Sequence, residues 1–212
     1  MHNIPGGNST SWRRGGYLFE GGMHWLVGSG PAAPLHKIWR ELGALCANNP
    51  VYNRDPFLTY LGEGGPVCLY RDPDRLERHL LSLAPKDAKA IRSLAGDIRA
   101  FRGLGMPVMD VKGVRVAAKT PPPLSLLFSF LKASPRMGKL NRITAGDYAD
   151  RFSHPGIRTL LRHVVGCDDY TASSIVFTLG GLAAGDGGYP AGGSLRMAQN
   201  MADTFTALGG AI

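Results

Sequence analysis

Glycine is the residue type that most constrains what this chain can fold into. The sequence holds 29 glycines among 212 residues, roughly twice the ~7% usage of an average protein. They include eight adjacent Gly-Gly pairs that follow no collagen-like period. Gly-Gly pairs between periodic segments predict many tight turns and close backbone approaches. Nucleotide-binding folds need both features.

The rest of the composition is that of a folded globular protein. Hydrophobic residues make up 44% of the chain and charged residues 19%, which argues against disorder. A chain of 212 residues can form one large domain or two small ones. The net charge of +8 favours an anionic partner. The basic residues are dispersed, however, and Arg13-Arg14 is their densest cluster, so we do not expect nucleic acid as a partner.

Cysteine and histidine give no sign of a metal site or a disulfide framework. Cys46, Cys68 and Cys167 are far apart, odd in number and without metal-ligand spacing, as is typical of reduced thiols. The six histidines are equally scattered. The beginning of the sequence lacks a signal-peptide pattern, and no stretch of about 18 apolar residues occurs. These features predict a cytoplasmic protein, with peripheral membrane contact left open.

Hydrophobic periodicity predicts a mixed α/β (α+β) fold. Leucine and isoleucine recur at helical spacing in the segments between the glycine-rich turns. Short alternating runs around Gly-Gly turns predict strands and one hairpin. The predicted strands are 17–19 and 24–27, and the hairpin is 57–72. The predicted helices are 34–45, which ends near Gly43, 73–84, 84–104, 143–152, 155–166, 171–185, which has a Gly-Gly packing point, and 194–208.

The most apolar segment follows three consecutive prolines. Leu124–Leu131 is too short to span a bilayer. Three interpretations stay open: a core helix, the wall of a pocket for an apolar ligand, and a monotopic surface anchor flanked by Lys119 and Lys132.

Common sequence signatures of catalysis are missing. The chain contains no G-x-G-x-x-G, no P-loop, no H-E-x-x-H and no G-x-S-x-G. The candidates that remain are two glycine loops, residues 5–11 and 189–194.

The first loop has the side chains that a phosphate or a ribityl chain requires. Gly6 and Gly7 let backbone N–H groups approach an anion, while Asn8, Ser9 and Ser11 can add hydrogen bonds. The second loop presents two glycines at the start of a helix, where free N–H groups and the helix dipole favour a polar or anionic ligand atom. Either loop alone is more typical of a plain tight turn.

Together, and in this order, the two loops resemble a known family. The sequence GYLFEGGMHW (residues 16–25) and the sequence YPAGG (residues 189–193) are similar to blocks of the FAD-dependent oxidoreductases related to phytoene desaturases and retinol saturase. These enzymes belong to the wider amine-oxidase-like flavoproteins. The resemblance spans essentially the whole chain and is strongest over residues 3–45 and 186–212.

The resemblance implies a cofactor, a reaction and a set of site residues. The cofactor would be FAD, and the reaction hydride transfer or double-bond isomerisation on an apolar polyene or lipid-like substrate. It implies no particular catalytic residue and no metal. The cofactor-binding residues would be Gly6, Gly7, Asn8, Ser9, Gly22, His24 and Trp25, and the substrate-side residues Tyr189, Pro190, Gly192 and Gly193.

The sequence departs from this family at both ends. Family members begin with a strand that carries G-x-G-x-x-G and a second strand that ends in an acidic residue, and they continue beyond the last Gly-Gly pair. We therefore expect an interior portion of a longer flavoprotein, inactive alone and with weak or absent FAD binding, which a complementing chain or a homo-oligomer would complete.

The expected architecture is a partial FAD/NAD(P)-binding flavoprotein fold with a mainly helical cap. Residues 1–45 would form part of the FAD-binding layer, 46–185 the cap and substrate side, and 186–212 a returning helix of the FAD-binding layer. The alternative function is a non-enzymatic module that binds a membrane surface or a protein partner.

Overall fold

The computed structural model describes residues 4–105, 108 and 124–212, and for residues 124–126 the backbone only. The mixed α/β class is confirmed. The helices are α1 (His36–Glu41), α2 (Pro73–Leu83), α3 (Ala88–Phe101), α4 (Leu124–Leu140), α5 (Ala145–Ala149), α6 (Pro155–Val165), α7 (Ala172–Ala183) and α8 (Gly193–Ala207). The strands are β1 (Ser11–Arg14), β2 (Tyr17–Glu20), β3 (Val51–Tyr52), β4 (Leu58–Gly62), β5 (Gly65–Leu69) and β6 (Tyr189–Pro190).

The chain forms two compact units, and each is described by itself. The first unit comprises the described parts of Met1–Arg54, Gly105–Ala118 and Asp186–Ile212. The second comprises those of Asp55–Leu104 and Lys119–Gly185. Across the described ranges, the strands pair as β1 with β2, β3 with β6 and β4 with β5, each pair being antiparallel.

In the first unit, the strand predicted at 17–19 is present as β2, but its partner β1 was expected to be loop. Arg14 lies opposite Tyr17, and the turn between them uses Gly15 and Gly16 at φ +57° and +82°. Two successive left-handed glycines give the turn that matches the twist of a hairpin. Pairing across this turn makes residues 11–14 a strand, although their side chains do not alternate in polarity.

Two other predictions for the first unit are wrong in extent. The segment 24–27 is no strand, because only Leu26 forms an isolated bridge, to Gly188. Helix α1 covers six residues and is shorter than the predicted segment 34–45, but its predicted end near Gly43 is confirmed. The chain turns away at Gly43, which has φ +75°, a conformation that glycine adopts without strain.

In the second unit, the predicted hairpin is confirmed as β4 and β5, with Gly62 opposite Gly65. The predicted helix start after the hairpin is also confirmed. The Asp72 carboxylate accepts a hydrogen bond of 2.7 Å from the Arg75 N–H, and Pro73 is the first helical residue.

Helix α3 forms the centre of the second unit's core. Its stripe of Ile91, Leu94, Ile98 and Phe101 is no more than 1% exposed, as its helical spacing predicted. A 3-10 turn over Pro85–Asp87 precedes α3, so the helix begins later than the predicted residue 84.

Helix α7 packs closely on α3 through a glycine. A Cβ at Gly180 would lie 2.8 Å from the Phe101 Cβ, whereas a Cβ at the neighbouring Gly181 would meet nothing within 4 Å. The predicted Gly-Gly packing point is therefore confirmed for one glycine of the pair.

Helix α4 continues through Pro135 and is longer than the predicted apolar segment. Leu127, Phe128, Phe130 and Leu131 are 46–63% exposed. The interpretation as a core helix is therefore wrong for these side chains. Among the described helices, none is long and apolar enough to cross a membrane.

Candidate functional site

In the first unit, residues from the start of the chain and residues from its end meet at the carboxylate of Glu20. Its Oε1 accepts hydrogen bonds from the Gly22 N–H at 2.7 Å, the Met23 N–H at 3.1 Å and the Ser194 hydroxyl at 2.6 Å. Its Oε2 accepts from the Ser194 N–H at 2.7 Å and the Tyr189 hydroxyl at 3.2 Å. These five residues are called the Glu20 cluster below. Sequence reasoning expected residues 1–45 and 186–212 to meet, and here they do.

The hydrogen bonds of the Glu20 cluster determine its charge. Partial burial raises the pKa of the Glu20 carboxyl, but hydrogen bonds from Ser194 and Gly22 outweigh burial, and the pKa lies below its ordinary value of 4.5. Burial, and then the charge of Glu20, raise the pKa of the Tyr189 hydroxyl to about 12. At neutral pH Glu20 is thus ionised and Tyr189 is a neutral donor. Their role is to hold the backbone, and neither is poised to exchange a proton.

Glu20 occupies the amino terminus of α8. Ser194 is the second residue of this helix, and its N–H is one of those that find no partner inside a helix. A carboxylate there is also favoured by the helix dipole. The sequence predicted that this terminus offers free N–H groups to a ligand. That expectation is wrong for Ser194, because the protein's own carboxylate takes the position of the anion.

Three glycines allow this close packing. A Cβ at Gly193, which has φ +69°, would collide with the Glu20 Oε2. A Cβ at Gly22 would lie 2.7 Å from the Asn8 carbonyl oxygen, and a Cβ at Gly6 would lie 2.8 Å from the Ala198 Cβ. The predicted residues Gly6, Gly22 and Gly193 therefore lie around one centre.

The first glycine loop is a turn whose N–H groups are partly used. The Ser9 N–H donates to the Gly6 carbonyl at 2.8 Å, and the Thr10 N–H donates to the Asn8 carbonyl at 2.9 Å. Gly7 is exposed at φ +55° with nothing within 4 Å of its would-be Cβ, and Asn8 is exposed beside it. A ligand can approach the backbone of this loop most closely at Gly7 and Asn8.

The remaining predicted residues lie at other places in the first unit. His24 is exposed, and its ring centre lies 5.9 Å from that of Trp25. Pro190 is buried in β6 opposite Val51. Gly192 precedes α8 at φ +82°.

A second carboxylate fastens the same unit, and sequence reasoning missed it. Asp186 accepts from the N–H groups of Gly28 and Gly30, both at 2.9 Å, and from the Ser29 hydroxyl at 3.2 Å. The Ser29 hydroxyl in turn accepts from the Gly188 N–H at 2.7 Å. The signal was an aspartate in a glycine-rich loop, GDGG, and a second glycine-rich segment, GSG. Glu20, likewise, stood in the sequence motif without an assigned role.

The residues of the first unit can be compared with what a dinucleotide requires. The open backbone at Gly7 and Asn8 fits the approach of a phosphate or ribityl group. The Ser11 hydroxyl is buried and has no hydrogen-bond partner among the described residues. Its capacity to form a hydrogen bond is therefore unused there. The α8 terminus does not fit a phosphate, because Glu20 would repel it.

The described histidine, cysteine, aspartate and glutamate side chains form no group of three or more that could hold a metal ion.

Comparison with known families gives one match. Residues 1–42 match the family model of an NAD(P)-binding Rossmann-like domain. Among curated proteins no match was found. The matched segment contains the first glycine loop, β1, β2, Glu20 and α1. It indicates the class of dinucleotide-dependent oxidoreductases that bind NAD(P) or FAD.

Proposed function

We propose that this chain belongs to an FAD-dependent oxidoreductase related to the phytoene desaturases. The reaction is hydride transfer or double-bond isomerisation on an apolar polyene or lipid-like substrate. The observation that carries the proposal is the Glu20 cluster, which joins the two sequence blocks of the family resemblance, residues 16–25 and 189–193, within one unit. The dinucleotide-binding match over residues 1–42 supports it.

The protein's part in this function is to position the cofactor. FAD, when bound, supplies the hydride donor or acceptor. Gly7 and Asn8 hold its ribityl-phosphate region, Ser9 and Gly6 keep the loop in its turn, and Gly22 holds the loop against α8. Glu20 fixes the distance between that loop and the second loop.

The residues 189–193 line the substrate side in this proposal. Tyr189 and Gly193 are rigid there because Glu20 binds the hydroxyl of one and packs against the other. The exposed ring of His24 and the half-buried ring of Trp25 would face the flavin. The proposal assigns no catalytic residue.

The test compares FMN, FAD and ADP as probes by flavin fluorescence and calorimetry. Because the described loops face the ribityl-phosphate half, FMN is expected to bind about as tightly as FAD, with a Kd weaker than about 1 μM. ADP is expected to bind more weakly than either. ADP binding as tightly as FMN would contradict the proposal.

The matched variants are Gly7→Asn and Gly15→Asn. Both glycines have left-handed φ values, +55° and +57°, and open space around the would-be Cβ. Asparagine tolerates this conformation, so both variants should fold. We expect Gly7→Asn to weaken FMN binding about tenfold or more by blocking the approach to the backbone. Gly15→Asn should leave it unchanged, and an equal effect of both would exclude the loop as the binding site.

The second candidate function is a module that binds a membrane surface. The observation that favours it is the exposed apolar side of α4, namely Leu127, Phe128 and Leu131. The same helix carries Lys132, Arg136 and Lys139 and no acidic residue. An amphipathic basic helix of this kind binds at the interface of anionic bilayers.

Co-sedimentation with vesicles that contain phosphatidylserine tests this candidate. Phe128→Ser with Leu131→Ser should reduce binding. Leu61→Ser, at a position 80% exposed on the β4–β5 hairpin, should not. Binding that neither change affects, or no binding at low salt, would count against the membrane function.

A further inference from the structure

The second unit contains a cavity between α3 and α4 that the proposed function does not use. Its volume is about 450 Å³, within the range of small-molecule sites. The wall contains four basic residues, one acidic residue and three large apolar residues. It is lined by Arg92, Ser93, Gly96, Asp97, Pro135, Arg136, Lys139, Leu140, Ile143 and Arg151, and is called the α3–α4 cavity below.

Positive charge is concentrated in this cavity. Four lining residues are cationic and one, Asp97, is anionic, so the lining carries a formal charge of +3 at neutral pH. Asp97 pairs with Arg136, with 3.1 Å between the Asp97 Oδ1 and the Arg136 Nε. Of the other three cations, none forms an ion pair with a carboxylate among the described residues. Like charges held around one concavity repel each other unless an anion enters.

Asp97 lines the cavity with a side chain that is only 12% exposed. Tyr148 is buried beside it, and the Arg151 guanidinium lies 4.9 Å from the centre of the Tyr148 ring. This packing fixes the Arg151 head group at the rim. Arg136 is fixed by Asp97. Two of the four cations are thus held in place before any ligand binds, which lowers the entropic cost of binding.

We propose that the α3–α4 cavity binds a small organic phosphate. A phosphate monoester carries a charge of nearly −2 and three strong acceptor oxygens, which suits three unpaired cations better than a monovalent carboxylate does. Arginine side chains bind phosphate oxygens through two parallel N–H groups. The apolar wall of Pro135, Leu140 and Ile143 faces the organic part of the ligand.

The site is independent of the flavin proposal, since its residues belong to the second unit and its test needs no flavin. Failure of either proposal therefore leaves the other untouched.

The test uses glycerol 3-phosphate as the probe and isothermal titration calorimetry on the full chain. Arg92→Gln and Lys139→Gln are the main variants, because both side chains are exposed and their loss should not impair folding. Each is expected to weaken binding about tenfold, the equivalent of losing one charge-assisted hydrogen bond. The matched control is Arg78→Gln, an exposed arginine on α2 that does not line the cavity. Its affinity should be unchanged.

Asp97→Asn is expected to strengthen the binding of glycerol 3-phosphate, in contrast to the arginine and lysine variants. Removing the internal carboxylate raises the lining charge to +4 and releases Arg136, so glycerol 3-phosphate should bind several-fold more tightly. If this buried substitution prevents folding, Arg92→Gln and Lys139→Gln still decide the matter.

Three results would overturn the proposal. They are no binding of either the probe at about 10 mM or vesicles that contain phosphatidic acid, equal weakening by Arg78→Gln, or glycerate binding as tightly as glycerol 3-phosphate. The vesicles distinguish a lipid headgroup from a soluble ester. Vesicle binding that Arg92→Gln and Lys139→Gln abolish, with no binding of the soluble probe, assigns the phosphate to a lipid. Vesicle binding that these variants leave unchanged, with no binding of the soluble probe, contradicts the site.

Discussion

At the scale of single residues, carboxylates organise the first unit. Glu20 and Asp186 both accept hydrogen bonds from backbone N–H groups of glycine-rich segments that lack regular secondary structure. A backbone that cannot form a ladder or a helix must find other acceptors for its N–H groups. A carboxylate offers several lone pairs in one place. The many glycines are therefore compatible with a defined fold because two acidic side chains bind their N–H groups.

Replacing Glu20 by glutamine should destabilise the chain. The amide keeps one acceptor oxygen, but its NH₂ group faces the donors that Oε1 or Oε2 now binds. Loss of charge-assisted hydrogen bonds to Ser194 and Gly22 is expected to lower the free energy of unfolding by about 2–3 kcal/mol at pH 7. Urea denaturation measures it, and Glu63→Gln on the exposed β4–β5 turn is the control. Equal stability of Glu20→Gln and the wild type would show that Glu20 is dispensable.

At the scale of elements, short-range packing determines where helices can approach. Helix α7 meets α3 at Gly180, where a Cβ would lie 2.8 Å from the Phe101 Cβ and 3.0 Å from its carbonyl carbon. The next residue, Gly181, has open space at the same position. Two adjacent glycines in one helix thus have different physical reasons to be there.

Alanine substitutions at this pair should have opposite signs. Gly180→Ala forces α7 away from the α3 backbone and should cost about 1–3 kcal/mol. Gly181→Ala should stabilise by about 0.5–1 kcal/mol, because alanine loses less conformational freedom in a helix than glycine. Thermal and urea unfolding of both variants measure the difference. Similar effects of the two changes would mean that α7 does not approach α3 at Gly180.

At the scale of the whole molecule, acidic groups with lowered pKa values stabilise both units. Burial raises the pKa of the Asp87 carboxyl, but hydrogen bonds from Ser153 and from the His154 N–H outweigh it, so the pKa lies below its ordinary 3.8. In the first unit, hydrogen bonds likewise hold the pKa of the Glu20 carboxyl below its ordinary value, although burial raises it. A carboxyl whose pKa is lower in the folded state stabilises the protein above its unfolded pKa, and this stability is lost as the pH falls.

The free energy of unfolding should therefore fall as the pH decreases below about 4.5, the ordinary value for Glu20. The double variant Glu20→Gln, Asp87→Asn should lose less stability over the same interval. Asp97 has the opposite effect on the pH dependence of stability, because burial raises the pKa of its carboxyl in spite of the nearby Arg136. Urea denaturation of both proteins between pH 7 and about pH 3 provides the measurement. Parallel pH profiles of the two proteins would contradict this origin of acid sensitivity.

Much of the second unit follows from local pattern. The leucines of α2, the stripe of α3 and the hairpin at 57–72 are where periodicity and turn residues predict them. The end of α1 near Gly43 also follows from local pattern, and a Cβ at Gly43 would collide with Thr204 on α8. The existence of β1 does not, because β1 is defined by pairing with β2.

The candidate site also divides into features that the sequence predicts and features that depend on the tertiary structure. The sequence by itself determined the glycine loops, the helix that begins at the second loop and the resemblance that connects them. The tertiary structure alone decided that Glu20, which follows the first loop, binds Ser194 of the second loop across 174 positions of sequence. It also decided that Asp97 lies among cations from three segments in the α3–α4 cavity. The physical reason is that turns and helices depend on neighbouring residues, whereas the partner of a carboxylate depends on which distant donors the fold brings near it.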